Sequence, residues 1–96
     1  LEELRLSGNN VTDLNRVTRV TRELSRLRSL DVSRNFLKEI PPHAFDGHRT
    51  LTSLFLDRNE IEHIGSRSLS DLSNLHTLDL HDNFISSHGL MKPDEG

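Results

Sequence analysis

Aliphatic and polar positions along this chain repeat around an asparagine. The stretch LDVSRNFLKEIPPHAF begins at Leu30, and two similar stretches, LFLDRNEIEHI and LDLHDNFISSH, follow it at a regular interval. The repeated asparagines are Asn9, Asn35, Asn59 and Asn83. Internal periods of about 20 to 50 residues are typical of proteins built from stacked structural repeats. The pattern therefore predicts four similar units.

Aliphatic columns flank these asparagines, eight, five and three positions before each one and two positions after it. The columns are Leu1, Leu27, Leu51, Leu75; Leu4, Leu30, Leu54, Leu78; Leu6, Val32, Leu56, Leu80; and Val11, Leu37, Ile61, Ile85. Alternation at a period of two predicts a short strand in every unit, and equivalent strands pair in parallel about 4.8 Å apart. We expect the leucines to point inward and the residues between them to form columns on an open face.

The consensus L-x-x-L-x-L-x-x-N-x-L resembles the leucine-rich repeat over essentially the whole chain. The continuation IPPHAFDGHRTL is similar to the class of about 24 residues that is common in Toll-type receptor ectodomains and other cell-surface or secreted recognition proteins. The resemblance implies an α/β solenoid, with a parallel sheet on the concave face and one helix plus irregular or short helical turns on the convex side. We expect one segment, with repeats 1–26, 27–50, 51–74 and 75–96, from a longer solenoid without caps.

The repeated asparagine has a physical reason. Its carbonyl and NH₂ groups can pair with backbone groups that a turn exposes to the interior, whereas an aliphatic residue would leave them unpaired. We expect a structural column of amides at Asn9, Asn35, Asn59 and Asn83.

The first unit differs because it carries two extra residues. Its apolar residues at helical spacing are Val17, Val20, Leu24 and Leu27. They predict a helix from about Arg16 to Arg26, capped by Asn15 or Asp13. Irregular or single-turn segments are expected in the later units.

Two histidines replace aliphatic residues in the repeat. An inward slot that holds Leu72 in the third unit holds His48 in the second, which predicts a weak point on the convex side. His88 replaces the inward residue that follows the turn in the fourth unit. Phe45 fills a neighbouring inward slot and is expected in the core.

Composition excludes several classes of protein. The 96 residues include no cysteine, so neither a disulfide framework nor a cysteine-based zinc site can form. No apolar run approaches the roughly 18 residues that span a bilayer, and we expect no membrane insertion by this segment. The net charge of −3 is too small to select a partner by long-range attraction.

The outward strand positions form the candidate ligand-binding face. The central column is Arg5, Asp31, Phe55, Asp79; the next is Ser7, Ser33, Asp57, His81; and Gly8, Arg34, Arg58, Asp82 form an edge column. An aromatic residue rimmed by charge is typical of interaction hot spots. We expect ligand contacts from Phe55, Asp31, Asp57, Asp79, Arg58 and His81, with Phe36 and Phe84 as aromatics on the flank. His81 should pair with Asp57 on the neighbouring strand, which would raise the histidine pKa.

Enzymatic and metal chemistry are the less favoured interpretations of this face. Ser33, Asp57 and His81 have the residue types of a hydrolase triad, but the carboxylate lies between the other two, whereas catalysis needs the imidazole there. Asp79 and Asp82 with Asp57 and His81 could bind zinc or manganese. A solvated acidic surface with one paired histidine is the simpler interpretation, so we expect no catalytic residue, no metal and no cofactor.

Two further features point to carbohydrate. Arg16, Arg19, Arg22 and Arg26 form a candidate polyanion stripe on the convex side, although a solvated helix face explains the same spacing. Aromatics for base stacking are missing from the stripe, which argues against nucleic acid. Asn10-Val11-Thr12 is a candidate N-glycosylation sequon.

Together with the resemblance, these features predict a protein-recognition module in an extracellular or cell-surface ectodomain, with a protein ligand or co-receptor as partner. Two alternatives stay open: a structural or adhesive spacer within a longer solenoid, and a polysaccharide-binding protein that uses the arginine stripe.

Overall fold

The computed structural model of the chain describes residues 1–86. Its elements in chain order are β1 (Glu3–Arg5), α1 (Leu14–Thr21), β2 (Ser29–Asp31), β3 (Glu39–Ile40), β4 (Ser53–Phe55), β5 (His63–Ile64) and β6 (Thr77–Asp79). Each strand of the larger sheet covers only the first leucine of the L-x-L motif and the residue on either side of it.

Two parallel sheets connect the repeats. Strands β1, β2, β4 and β6 form a four-stranded sheet in that order, and β3 pairs with β5 in a second sheet. The register follows the spacing of the sequence, since Leu4 pairs with Leu30, Leu30 with Leu54 and Leu54 with Leu78. We define the sheet face as the side of the four-stranded sheet that points away from the core.

The core lies between the four-stranded sheet and the return segments that lead from one strand to the next. Leu30, Leu54 and Phe45 are fully buried. Aliphatic residues of the first and last repeats pack against this core but are only partly buried, among them Leu6 and Leu80. End repeats have a neighbour on one side only, which leaves their inward residues less covered.

The asparagine amides link successive repeats. Asn59 Nδ2 donates to Leu56 and Asp57 in its own repeat and to Val32 in the repeat before, at 3.0 to 3.2 Å. Its Oδ1 accepts a 3.0 Å hydrogen bond from the Leu37 amide. Asn35 and Asn83 bind in the same way. These bonds satisfy the backbone groups that the turn leaves unpaired.

Asn9 is the exception in this column. It is exposed, and its Nδ2 donates at 3.2 Å to Ser7 in its own turn. Among the described residues no repeat lies beyond it whose carbonyl or amide groups it could bind. The position therefore acts as a structural link only where two repeats are stacked.

The helix is shorter at its C-terminal end than the apolar spacing predicts. It runs from Leu14 to Thr21, and Asp13 caps it by accepting a 3.0 Å hydrogen bond from the Asn15 amide. The prediction of a helix to Arg26 was wrong, because the chain continues in single turns that keep the same apolar spacing. Leu24 N bonds to Thr21 O at 3.0 Å, and Leu27 N bonds to Leu24 O at 3.1 Å.

Val20 belongs to the apolar spacing that predicts this helix, yet it is 61 % exposed. It lines an open apolar groove with Leu4, Leu6, Val11 and Val17 at the outer side of the first repeat. The amphipathic pattern predicted that a helix forms here. It did not predict that part of the apolar side of the helix stays exposed.

His48 occupies its inward slot with hydrogen bonds on both ring nitrogens. Nδ1 lies 3.2 Å from the Asp46 carbonyl, and Nε2 lies 2.6 Å from Thr21 Oγ1. Phe45 packs edge-on against the imidazole, with ring centroids 5.4 Å apart. A carbonyl can only accept, so Nδ1 carries the proton and Nε2 accepts from the threonine hydroxyl. His88, the other substituted slot, lies outside the described residues.

Candidate functional site

Phe55 lies at the centre of the sheet face. Asp31 on β2 and Asp79 on β6 are its register partners on either side, and Arg5 is the partner of Asp31 on β1. The Phe55 side chain is half-buried among these neighbours. The central column thus presents one aromatic ring between two carboxylates.

Both carboxylates are held by the residue two positions later on the same strand. Asp31 Oδ1 accepts hydrogen bonds from the Ser33 amide at 2.9 Å and from Ser33 Oγ at 2.6 Å. Asp79 Oδ1 accepts from the His81 amide at 3.1 Å and contacts His81 Nδ1. Residues i and i+2 share a face of a strand, so the same motif forms on both sides of Phe55 and fixes the two acids.

His81 contacts carboxylates through both ring nitrogens: Nδ1 bonds to Asp79, which was not predicted, and Nε2 forms a longer ion pair with Asp57, the predicted partner. Its Nε2 lies 3.9 Å from Asp57 Oδ2, which is beyond hydrogen-bond distance, and 3.7 Å from Asp82 Oδ2. The neighbouring strand is about 4.8 Å away, whereas Asp79 is on the same strand and directly beside the ring. The sequence contained the signal for this contact, because Asp79 and His81 are two residues apart on one strand.

The pKa of His81 is raised, as predicted. The hydrogen bond to Asp79 raises the pKa of His81, and the charges of Asp79, Asp57 and Asp82 add to this while desolvation opposes it. The same side-chain hydrogen bond lowers the pKa of Asp79. This end of the face therefore holds three carboxyl groups around an imidazole that protonates more readily than usual.

Asp57 is the buried acid of the group. The residue is 8 % exposed, and neither of its carboxylate oxygens accepts a hydrogen bond from any described residue. One ligand atom from each of Asp57, Asp79 and His81 lies within 4.8 Å of the other two. Carboxylate and imidazole groups of this kind are ligands for divalent transition metals.

A nucleophilic triad does not form on this face. The Ser33 hydroxyl donates to Asp31, and strand β4 separates the strand before Ser33 from the strand before His81. His81 Nδ1, the nitrogen that a triad would point at its orienting acid, faces Asp79 on its own strand. The arrangement is suited to holding charge beside an aromatic ring, not to activating a hydroxyl.

The edge column adds an exposed ion pair. Arg58 Nε lies 3.7 Å from Asp82 Oδ2. Both residues occupy the left-handed turn position before the column asparagine, with φ of 55° and 57°. The two side chains stand beside each other because successive repeats form the same turn at the same place.

The flank aromatics are exposed. Phe36 is 47 % and Phe84 is 67 % exposed, so neither packs fully over a neighbouring turn. An acidic groove that sequence reasoning missed lies beside Phe36, lined by Glu39, Glu60 and Glu62. Glu39 comes from the second repeat and Glu60 and Glu62 from the third, and Lys38 and His63 line the groove as well, so only the repeat alignment could have placed them together.

The arginine stripe is not one continuous free surface. Arg22 Nε donates at 2.7 Å to the Asp46 carbonyl, and its NH2 group donates at 3.3 Å to Ala44. Only Arg16 and Arg19 lie on the helix itself. Arg22 therefore ties the first repeat to the second, which leaves three exposed arginines for any polyanion.

Asn10 is exposed at a turn, with a φ of 57°. The sequon asparagine is thus accessible on the same flank as Phe36, one repeat away. Among residues 1–86, no helix has the length and apolar character needed to cross a lipid bilayer.

Comparison with known proteins identifies the repeat. The family model described as "Leucine rich repeat" matches residues 1–48 and 25–85. The chain belongs to the leucine-rich repeat family. Its four-stranded parallel sheet, with one strand from each repeat, and its asparagine-bonded turns are the structural form of the matched motif.

Several relatives are similar over most of the chain. Toll-like receptor 3 of Bos taurus is 37 % identical over 99 residues, which cover 99 % of this chain and 11 % of that protein. Fibromodulin of Oryctolagus cuniculus is 39 % identical over 74 residues, 76 % of this chain and 50 % of fibromodulin. Podocan of Mus musculus is 31 % identical over 90 residues, 94 % of this chain and 14 % of podocan. The chain thus spans between about a tenth and a half of the length of these relatives.

Proposed function

We propose that this segment is a non-enzymatic recognition module that binds a protein ligand on its sheet face. In this proposal it forms part of a longer leucine-rich solenoid in a receptor-like or secreted protein. The observation that carries the proposal is the position of Phe55, half-buried at the centre of the face between Asp31 and Asp79.

The geometry around Phe55 supports recognition of a protein surface. A partner that covers the ring gains hydrophobic burial, while the fixed carboxylates and the exposed Arg58–Asp82 pair orient it at the rim. Because Ser33 and the His81 amide already hold the two acids, little side-chain entropy remains to be lost on binding. Net acidity at the His81 end favours a partner with basic groups there.

An extracellular or cell-surface location fits the same proposal. The similar relatives include a receptor by name, and the sequon at Asn10 is exposed. The apolar groove at the outer side of the first repeat supports further repeats stacked on it, since such a surface is otherwise left uncovered.

Ligands selected from a displayed library of extracellular domains provide the test. Phe55→Ala should weaken a selected ligand about 30-fold, corresponding to about 2 kcal/mol, because a central aromatic anchor is lost. Phe36→Ala is the matched control, since it removes an exposed aromatic from the flank and should leave the affinity unchanged. Unfolding curves of both variants exclude loss of the fold.

The other outcomes of this binding test support different interfaces or functions. Full affinity in Phe55→Ala contradicts binding through the sheet face, and loss of affinity in Phe36→Ala alone moves the interface to the flank. Binding of heparin that is lost in Arg16→Ala/Arg19→Ala and at high salt would instead support the polysaccharide alternative. If no displayed domain is captured on any face, the spacer alternative is supported.

A further inference from the structure

A buried carboxylate without a hydrogen-bond donor is the unusual feature of the sheet face. Asp57 is 8 % exposed, and within the described part of the chain its nearest basic atom is His81 Nε2 at 3.9 Å. Buried ionised carboxylates are costly unless they are paired with hydrogen-bond donors or coordinate a cation. Asp31 and Asp79 both accept two hydrogen bonds, whereas the Asp57 side chain is 12 % exposed and its oxygens are left to solvent or to a cation.

The His81 ring is oriented as an imidazole ligand would be. Asp79 accepts from Nδ1, which directs the proton to that nitrogen and leaves the Nε2 lone pair facing Asp57 and Asp82. Metal-binding histidines usually donate the second ring N–H to a carboxylate in this manner, which fixes the ring and increases its basicity.

We propose that Asp57 and His81 Nε2 bind a divalent transition-metal ion of the Zn²⁺ type, with Asp79 as the orienting outer carboxylate. Zinc binds nitrogen and oxygen ligands at about 2.0 to 2.2 Å, so two ligands of a tetrahedral site lie about 3.3 to 3.5 Å apart. The observed 3.9 Å between Nε2 and Asp57 Oδ2 needs only a small side-chain rotation to reach this separation.

Asp82 supplies a third ligand. Its Oδ2 lies 3.7 Å from the same nitrogen, and its side chain is 68 % exposed and therefore free to rotate toward the ion. This rotation gives up the long contact with Arg58, an exposed ion pair of little energetic value. Imidazole favours zinc, copper, nickel or cobalt over calcium and magnesium, which prefer shells made only of oxygen ligands. Water completes the coordination.

Isothermal titration of the 96-residue chain with ZnCl₂ at neutral pH tests the site. We expect one ion per chain, with affinity reduced at least about tenfold in Asp57→Asn and in His81→Ala. Asp79→Asn should weaken binding by about 10- to 100-fold, as is typical when an orienting carboxylate is removed. The matched control is His43→Ala, because His43 pairs with Asp46 at 3.1 Å as an exposed histidine–aspartate pair outside this group.

Manganese provides a second measurement that does not depend on affinity. Mn²⁺ should broaden the NMR signals of Phe55 and Asp57 before those of His43. The proposal is overturned if zinc does not bind at up to millimolar concentration, if His81→Ala binds normally, or if His43→Ala loses the ion as strongly as His81→Ala. The test is independent of protein recognition, because it uses the ion alone.

Discussion

The return segments of the second and third repeats, residues 41–50 and 65–74, follow similar backbone paths but carry different side chains. One backbone difference is Gly47, whose φ of 82° is not shared by Asp71. His43 N bonds to Ser66 O and Phe45 N to Ser68 O, both at 3.1 Å, so the two segments lie side by side along their length. His43 and Arg67 share the left-handed conformation, with φ of 58° and 55°. The equivalent pairs are Pro41 and Gly65, Ala44 and Ser68, Phe45 and Leu69, and His48 and Leu72.

The two segments differ in whether their buried polar side chains form hydrogen bonds. His48 is a polar residue in an apolar slot, and Thr21 and Asp46 supply hydrogen bonds to it. Ser68 is also fully buried, but its hydroxyl has no partner among the described residues. The repeat period therefore determines the backbone, whereas the neighbouring repeat determines which side chain a slot tolerates.

The largest effect is expected at the aromatic slot. Phe45 is fully buried, so Phe45→Ala should lower the free energy of unfolding by about 3 to 5 kcal/mol. Leu69 occupies the same slot of the third repeat but is only half-buried, and Leu69→Ala should cost roughly half as much. Urea unfolding of both variants measures the contrast. Equal losses would mean that the two slots contribute alike despite their different burial.

A smaller effect is expected where the segments touch through backbone. A Cβ added to Gly65 would lie 2.4 Å from the Pro42 nitrogen and 2.7 Å from the Pro41 carbonyl carbon. The rigid proline pair cannot yield, so Gly65→Ala should cost about 1 to 3 kcal/mol.

Gly8→Ala is the control for Gly65→Ala. Its Cβ would meet nothing within 4 Å, but its φ of 73° is left-handed and should cost about 1 kcal/mol. If Gly65→Ala unfolds at the same urea concentration as the unaltered chain, the two segments can separate without loss, which contradicts tight backbone packing.

His48 should make the second repeat, and not the third, sensitive to acid. Burial lowers the pKa of His48, an effect that the hydrogen bond to Asp46 opposes and the charge of Arg22 reinforces. The unfolded chain has the ordinary histidine pKa of about 6.5 and takes up a proton that the folded state resists. Stability is therefore complete above about pH 6.5 and falls as the pH drops below this value, by about 1.4 kcal/mol for each unit of pKa lowering.

His48→Leu, which copies Leu72 of the third repeat, isolates this contribution. Urea unfolding of both proteins between about pH 8 and pH 5 should show a smaller loss in the variant, while the titration of His81 is common to both. An identical pH dependence would mean that folding does not change the pKa of His48. It would also leave unsupported the idea that this histidine is a weak point.

Sequence reasoning succeeded where the repeat alone determines the structure. The strand register, the asparagine bonds of Asn35 and Asn59, and the burial of Phe45 all follow from the repeat period and the alternation of the strand. These features depend on backbone positions that recur, so one unit predicts the next.

Prediction from the sequence failed where a side-chain rotamer or a local turn determines which of several nearby groups a residue contacts. The spacing of Leu24 fits a helix and a series of single turns equally well, and the helix ended at Thr21. His81 lies near Asp57, as predicted, but its hydrogen bond goes to Asp79 on its own strand and was not predicted. Arg22 had the spacing of a solvated helix face, but it reaches carbonyls of the next repeat that the one-dimensional pattern does not display.

The smallest expected effect comes from exchanging the residues at one equivalent position of the two return segments. This exchange adds or removes a single hydroxyl oxygen. Ser68→Ala copies Ala44 and removes a buried hydroxyl without a partner in the described chain, so it should stabilise the protein by about 1 kcal/mol. Ala44→Ser introduces the same hydroxyl into the second repeat and should destabilise it by a similar amount. Urea unfolding of both variants measures the exchange. If Ser68→Ala is destabilised, the serine hydroxyl must have a bonding partner in solution, and the difference between the two slots would lie in their partners and not in their fit.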